Sequence, residues 1–211
     1  MSLEYPKIET LFYRNPSTFK VSLYNWRCPE FKYLQADNWL FTEKVDGTNT
    51  RVTFNGLEKS VEYAGRTFSA DIPQTLLNRL QNLFPVERFL SDFPTWQDTI
   101  VTLYGEGYGA KIQSGGDNYK SDGVDFVLFD VNVRGLWLER VNIEDIAHKL
   151  NILDVPVVGQ GTLKEAASFC EKGFTSAWGN FQAEGLVVRT PITLFNRKGE
   201  RVIGKIKFKD F

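Results

Sequence analysis

Cysteine, histidine and methionine are scarce: the 211-residue chain has two Cys, one His and one Met. Cys28 and Cys170 lie far apart, and neither has a second Cys or a His beside it. That pattern argues against both a thiolate zinc site and a disulfide framework. The single histidine, His148, falls on a helical pattern with Ile143, Ile146, Ala147 and Leu150, so it reads as a surface or boundary residue rather than a catalyst. No apolar run approaches the roughly 18 residues of a membrane span, and the opening MSLEYPKIE lacks the apolar core of a secretory signal. A cytoplasmic protein with no membrane partner is therefore expected. Charge of one sign is also lacking, with 25 Lys and Arg against 26 Asp and Glu. Bulk charge cannot then hold a nucleic acid, and any such site must be local. No repeat, low-complexity tract or linker splits the chain, so a single domain over 1–211 and a monomer are expected.

Aromatic residues are plentiful by contrast, with five Trp and 17 Phe. Most of these rings belong in a core, and some are suited to stack on bases. Runs rich in β-branched and aromatic residues predict strands over 38–45, 50–54, 99–107, 124–133, 184–190 and 202–209. Helical spacing appears at Leu76, Leu77, Leu80 and Leu83, again around Ile143 to Leu150, and in the segment opened by Thr162. Thr162 and Glu165 stand at capping-box spacing, and Gly173 is placed to end that helix. QSGGDNYKSDG (113–123) reads as a mobile loop. The pattern predicts an α+β fold dominated by antiparallel sheet with flanking helices.

EKVDGTN places Lys44 at the end of a predicted strand, followed by the turn-forming set Asp46, Gly47, Thr48 and Asn49. A lysine amine is a nucleophile only without its extra proton, which requires burial or nearby positive charge. Gly47 would allow close backbone approach, and Thr48 and Asn49 offer hydroxyl and amide groups to a ribose or purine edge. Taken alone, such a short motif is commonly just a turn bearing a solvated lysine.

EKVDGTN resembles motif I of the covalent nucleotidyltransferases, the superfamily of DNA ligases, RNA ligases and mRNA capping enzymes, and further blocks follow in the family's order. AGRT resembles the next block and implies that Arg66 holds a nucleotide phosphate or the 5′-phosphate of a strand, a task suited to guanidinium. LYGEGYG puts Glu106 at the position whose carboxylate bonds the ribose hydroxyls. Gln113 matches a glutamine of nick-sealing, phage-type RNA ligases and implies nucleic-acid contact. VDFVLFDV resembles the block whose ring stacks on adenine. Phe126 and Phe129 should point to opposite faces of a strand; Phe129, directly before Asp130, matches the family's Phe-Asp pair, which leaves Phe126 for the core. EGLVVR resembles motif IV, implying a metal-linked Glu184 and a phosphate contact for Arg189. Alternation sets Glu184, Leu186 and Val188 on one face and Arg189 on the other, so Arg189 is expected to reach the site from the strand end. KIKFKDF resembles motif V, where Lys205 and Lys207 would contact the triphosphate. On a strand Lys209 would continue that ladder, toward the polynucleotide. Glu43 matches a position whose backbone reads adenine, with its side chain expected in solvent.

The resemblance is strongest to small phage and bacterial RNA ligases. It implies an ATP-grasp-like ligase adenylation domain, ATP and Mg²⁺ (or Mn²⁺) as cofactors, and RNA ends as the partner in strand repair. The implied chemistry runs through lysyl-AMP on Lys44, an adenylylated 5′-end, and attack by a 3′-hydroxyl. Glu184 alone cannot cage a metal, which fits Mg²⁺ shared with phosphate oxygens. Many relatives continue past motif V into an accessory domain that is not visible in these residues. Rival readings are a DNA ligase, a GTP-using capping-type enzyme, and an inactive nucleic-acid-binding module. GEGYG is not a dinucleotide fingerprint, because the full glycine spacing and the following helix are missing, and Lys111 lacks the Ser or Thr of a phosphate-binding loop.

Overall fold

Period-two burial organises most of the chain, and each strand pairs through the backbone groups that burial would otherwise leave unsatisfied. A computed structural model describes residues 4–211. In chain order the first elements are β1 (Glu9–Thr10), β2 (Phe12–Arg14), β3 (Val21–Trp26), α1 (Pro29–Tyr33), β4 (Trp39–Glu43), β5 (Thr48–Asn55) and β6 (Ser60–Gly65). Next come α2 (Gln74–Leu83), α3 (Val86–Asp92), β7 (Ile100–Gly109), α4 (Gly116–Tyr119), β8 (Val124–Val133), β9 (Leu136–Trp137) and α5 (Arg140–Lys149). The chain continues through β10 (Leu153–Asp154), β11 (Val157–Gly161), α6 (Leu163–Lys172), β12 (Gly185–Arg189) and β13 (Ile203–Lys207). The α+β class with antiparallel pairing is as expected from the sequence.

Contacts group the chain into two compact units. The first unit takes the segment up to Pro6 together with Asp46–Asp154. Its sheet runs β10-β8-β7-β5-β6, with β9 also on β8, and all pairs are antiparallel except β10 with β8. Val52, Phe54, Leu103, Phe126 and Leu128 cover one face and pack with Leu76, Leu80, Phe89, Ile143 and Ile146 of the helices. Each such buried side chain contributes about 1.5–3 kcal/mol by leaving water. The opposite face carries Asn49, Arg51, Tyr104 and Glu106. A register shift between Tyr104 and Gly105 leaves Phe129 as the extra residue of β8, between Leu128 and Asp130. The segment expected to be a loop at 113–123 contains the one-turn α4.

The second unit comprises Lys7–Val45 and Val155–Phe211. Its main sheet runs β1-β13-β12-β4-β11, antiparallel except where β1 lies along β13. One face packs Phe41, Leu186, Val188 and Ile206 against Leu163, Ala166, Ala167 and Cys170 of α6. That helix starts with the expected capping box, Thr162 accepting from the Glu165 N–H and Glu165 accepting from the Thr162 N–H. Gly173 follows at φ 75°, as its placement after the helix predicted. Both cysteines are free, and burial pushes the Cys170 thiol up to about 12. β2 and β3 form a separate hairpin. Among the described residues no helix is long and apolar enough to cross a membrane.

Candidate active site

In the second unit, register places the key side chains on one sheet face. Val187 pairs with both Thr42 and Lys205, and Gly185 pairs with Lys207. Thr42, Val187, Arg189, Lys205 and Lys207 therefore share the face opposite the α6 core. Lys44 lies just past β4, where its N–H donates to the Gly185 carbonyl at 2.9 Å. Its Nζ donates to Glu184 Oε2 at 2.6 Å, and the Lys207 ammonium pairs with Glu184 Oε1. One carboxylate thus joins two ammonium groups, with side chains 20% exposed for both lysines and 11% for Glu184.

Gly185 lets the backbone at the start of β12 lie close against β13. A Cβ there would lie 2.2 Å from the Ile206 carbonyl oxygen, which only a residue without one tolerates. Glu184 precedes the strand, so alternation does not bind it, and its carboxylate reaches the lysine face while Leu186 and Val188 enter the core. Arg189 shares that face by register rather than reaching round from the strand end, which corrects the expectation for this pair.

Two further expectations change. β13 ends at Lys207, and Phe208–Asp210 form a 3₁₀ turn, closed by Asp210 accepting from the Lys207 N–H at 3.0 Å. Lys209 is therefore exposed and off the lysine ladder, with its carbonyl accepting from Lys20 Nζ at 3.3 Å. Glu43 is not solvated: Ser176 Oγ and the Ala177 N–H donate to its carboxylate at 2.6 and 2.8 Å. Burial raises this carboxyl above its ordinary value, against the lowering effect of those two hydrogen bonds. The Glu43 N–H donates to the Pro156 carbonyl at 3.0 Å.

The first unit gathers the remaining predicted residues. Asn49 stands directly opposite Glu106 across the β5–β7 pair, and Thr48 opens β5. Asn49 Oδ1 is buried and makes no hydrogen bond within the protein, so it is an acceptor left for a polar ligand. Gly47 packs against backbone rather than leaving room for a ligand: a Cβ on it would meet the Gly107 oxygen at 2.3 Å. Gln113 donates to the Gly47 carbonyl at 3.3 Å and so braces the turn after the lysine. Phe126 is buried, with its ring 5.2 Å from that of Phe84, whereas Phe129 is partly exposed.

Several residues that sequence reasoning passed over support this face. The Tyr5 hydroxyl donates to the buried Asp130 at 2.6 Å, and its ring meets Phe129 edge-on at 5.0 Å. Tyr104 and Trp137 pack on the same ring at 5.1 and 5.8 Å. Arg66 is exposed and donates from Nε to the Tyr5 carbonyl at 3.4 Å. Arg51 is fully buried: Nη1 donates to the Arg66 carbonyl, the guanidinium stacks on Phe68 at 4.5 Å, and Nε and Nη2 make no hydrogen bond within the protein. Its place two residues after Asn49 on one strand was the available signal.

A family model described as RNA ligase matches residues 37–207. No curated protein matches the sequence. A variant of the RNA ligase of Naegleria gruberi, solved with AMP and Mn, superposes with a TM-score of 0.69 at 17% identity, over 98% of this chain and 56% of that one. A variant with ATP and Mn gives 0.67 at 19% identity, over 97% and 61%. The same ligase with PPi gives 0.66 at 20% identity, over 97% and 62%. The chain thus spans about three-fifths of the solved ligase chains that it resembles in fold.

Proposed function

The chain belongs to the RNA ligase family, and we propose that it is an ATP-dependent RNA ligase whose two units together act as one adenylyltransferase domain. The observation that carries this reading is the Lys44–Glu184–Lys207 cluster, three groups far apart in sequence and joined through one carboxylate.

The Lys44 amine attacks the α-phosphorus of ATP; the new N–P bond forms as the bond to pyrophosphate breaks, and the lysine proton passes to solvent. Pyrophosphate departs against Lys205, Lys207 and Arg189, cations on one face that neutralise developing oxygen charge. Phe129 stacks on adenine, Glu106 accepts from the ribose hydroxyls, and Arg66 takes a phosphate. Thr48 and Asn49 meet ribose or purine edges, as does the backbone at Glu43. A 5′-phosphate oxygen then displaces lysine from AMP, and a 3′-hydroxyl displaces AMP to close the strand. Gln113 and Lys209 are assigned to the polynucleotide.

Among the described residues no three carboxylate, His or Cys side chains form a metal-holding group. Glu184 therefore fits Mg²⁺ or Mn²⁺ only as a shared ligand, with phosphate oxygens and water completing the shell. Such an ion would supply charge neutralisation at phosphate.

α-Labelled ATP, but not GTP, should leave AMP on the wild type and none on Lys44→Ala. Label retained on that variant removes Lys44 from its role. Nicks with RNA on the 3′-hydroxyl side should seal faster than all-DNA nicks, and equal rates defeat the RNA assignment.

A further inference from the structure

The second unit carries a cavity of about 470 Å³ between the β2–β3 hairpin and α1, lined by none of the residues assigned above. Tyr13, Tyr24, Trp26, Arg27, Lys32 and Tyr33 are among its walls, and no Asp or Glu lines it. Tyr13, Tyr24 and Tyr33 are 44%, 57% and 82% exposed, unusual for rings that have a core available to them. The rings of Tyr13 and Tyr24 are nevertheless held. Phe12, fully buried, packs on Trp26 at 4.6 Å and on Tyr24 at 6.1 Å. The Arg27 guanidinium lies 4.8 Å from the centre of the Tyr13 ring and is steadied by Glu9 at 3.1 Å, while Lys164 Nζ lies 5.5 Å from the Tyr24 ring.

Tyr24 has φ 62°, a left-handed backbone that a bulky side chain rarely adopts. Such strain persists only where surrounding structure holds it, and here it turns an aromatic ring outward. The groove is also tied to the strand that bears Lys205 and Lys207. Leu11 N–H donates to the Lys205 carbonyl at 3.0 Å, and Arg14 Nη2 pairs with Asp210 Oδ1 at 2.6 Å, in the turn directly after that strand.

Rings presented face-out, cations among them and no lining acid are the chemistry that takes up a single-stranded polyanion whose bases stack. We propose that this groove binds unpaired nucleotides of the RNA being joined, which extends substrate recognition beyond the reacting ends; the choice of RNA rests on the ligase reading. Its volume is within the range of small-ligand sites, enough for a base or two rather than a duplex.

The test is fluorescence anisotropy with a short, unstructured single-stranded RNA on the full chain, with self-adenylylation from labelled ATP measured in parallel. Tyr13→Ala, Tyr24→Ala and Tyr33→Ala combined should weaken binding at least about tenfold, since stacking contributes roughly 1–3 kcal/mol per base. Lysyl-AMP formation should be unchanged, which verifies that the fold and the Lys44 cluster survive. The Tyr→Phe set keeps the ring faces and should keep binding, and Arg27→Ala with Lys32→Ala should flatten the salt dependence. Wild-type affinity in the triple alanine variant, or loss of binding in the Phe set, overturns the stacking surface. Absence of lysyl-AMP on the wild type defeats the ligase reading instead, and RNA binding is read independently of it.

Discussion

Removing Glu184 and removing Lys44 should have effects on stability that depend on each other even in sign. Wild type holds two ammoniums on one carboxylate, with Lys44 Nζ at 2.6 Å. Lys44→Met leaves Glu184 still held by Lys207 and also relieves like-charge repulsion, so its cost should be small, about 1 kcal/mol. Glu184→Gln instead leaves two ammoniums facing each other without the anion between them. A fully buried pair loses about 3–5 kcal/mol when one partner goes, and an exposed one about 0.2–1. With side chains 11% and 20% exposed, this cluster sits nearer the first figure, discounted for solvent to about 2–3 kcal/mol. In the Glu184→Gln background, Lys44→Met then removes a repulsive charge and should stabilise by about 1 kcal/mol, a coupling of about 2. Urea unfolding of the four proteins measures it. If Lys44→Met destabilises both backgrounds equally, within about 0.5 kcal/mol, the carboxylate does not bridge the two lysines.

The two phenylalanines of β8 should separate packing from binding. Phe126→Ala should cost about 3–5 kcal/mol in a thermal or urea melt, while Phe129→Ala should cost much less and instead raise the KM for ATP in self-adenylylation; a reversed pattern refutes the placement of the rings. Glu43 supplies a pH test. Its carboxyl is raised by burial from 4.5, so the folded state binds that proton more tightly than the unfolded state. Its contribution is therefore most favourable below about 4.5 and is lost as pH rises through the higher folded value. The stability of wild type relative to Glu43→Gln should fall as pH rises above 4.5 in urea melts, and parallel or rising curves would show that the carboxyl is not raised.

Strands with long runs of β-branched and aromatic residues were legible from the residues alone, because one buried face imposes a period of two on each. β7 and β8 were found nearly to their ends, and so was α6 through its capping box. β3 was not, since it is exposed over most of its length and no apolar stripe marks it. The lysines of β13 were readable as a ladder, but Lys209 was misplaced because the turn depends on Asp210, whose acceptor role needs Arg14 and the Lys207 N–H brought to it by folding. Glu43 misled for a similar reason: its partners Ser176 and Ala177 are remote in sequence. Strict alternation also fails at Glu184, which stands just outside its strand, and at Phe129, where a bulge inserts a residue. Tyr5 carries no spacing signal, and its role comes from Phe129 and Asp130, remote in sequence, whereas Arg51 was readable only through its place two residues after Asn49.

The interleaved order of the units has a consequence during synthesis. Nearly all of the first unit is one continuous stretch, Asp46–Asp154, and can assemble while later residues are still being made. The sheet that bears Lys44 cannot: β4 must wait for β11, β12 and β13, and the carboxylate and second ammonium arrive with them. A nascent chain therefore presents Lys44 long before Glu184 and Lys207, its partners in the folded cluster, have been made.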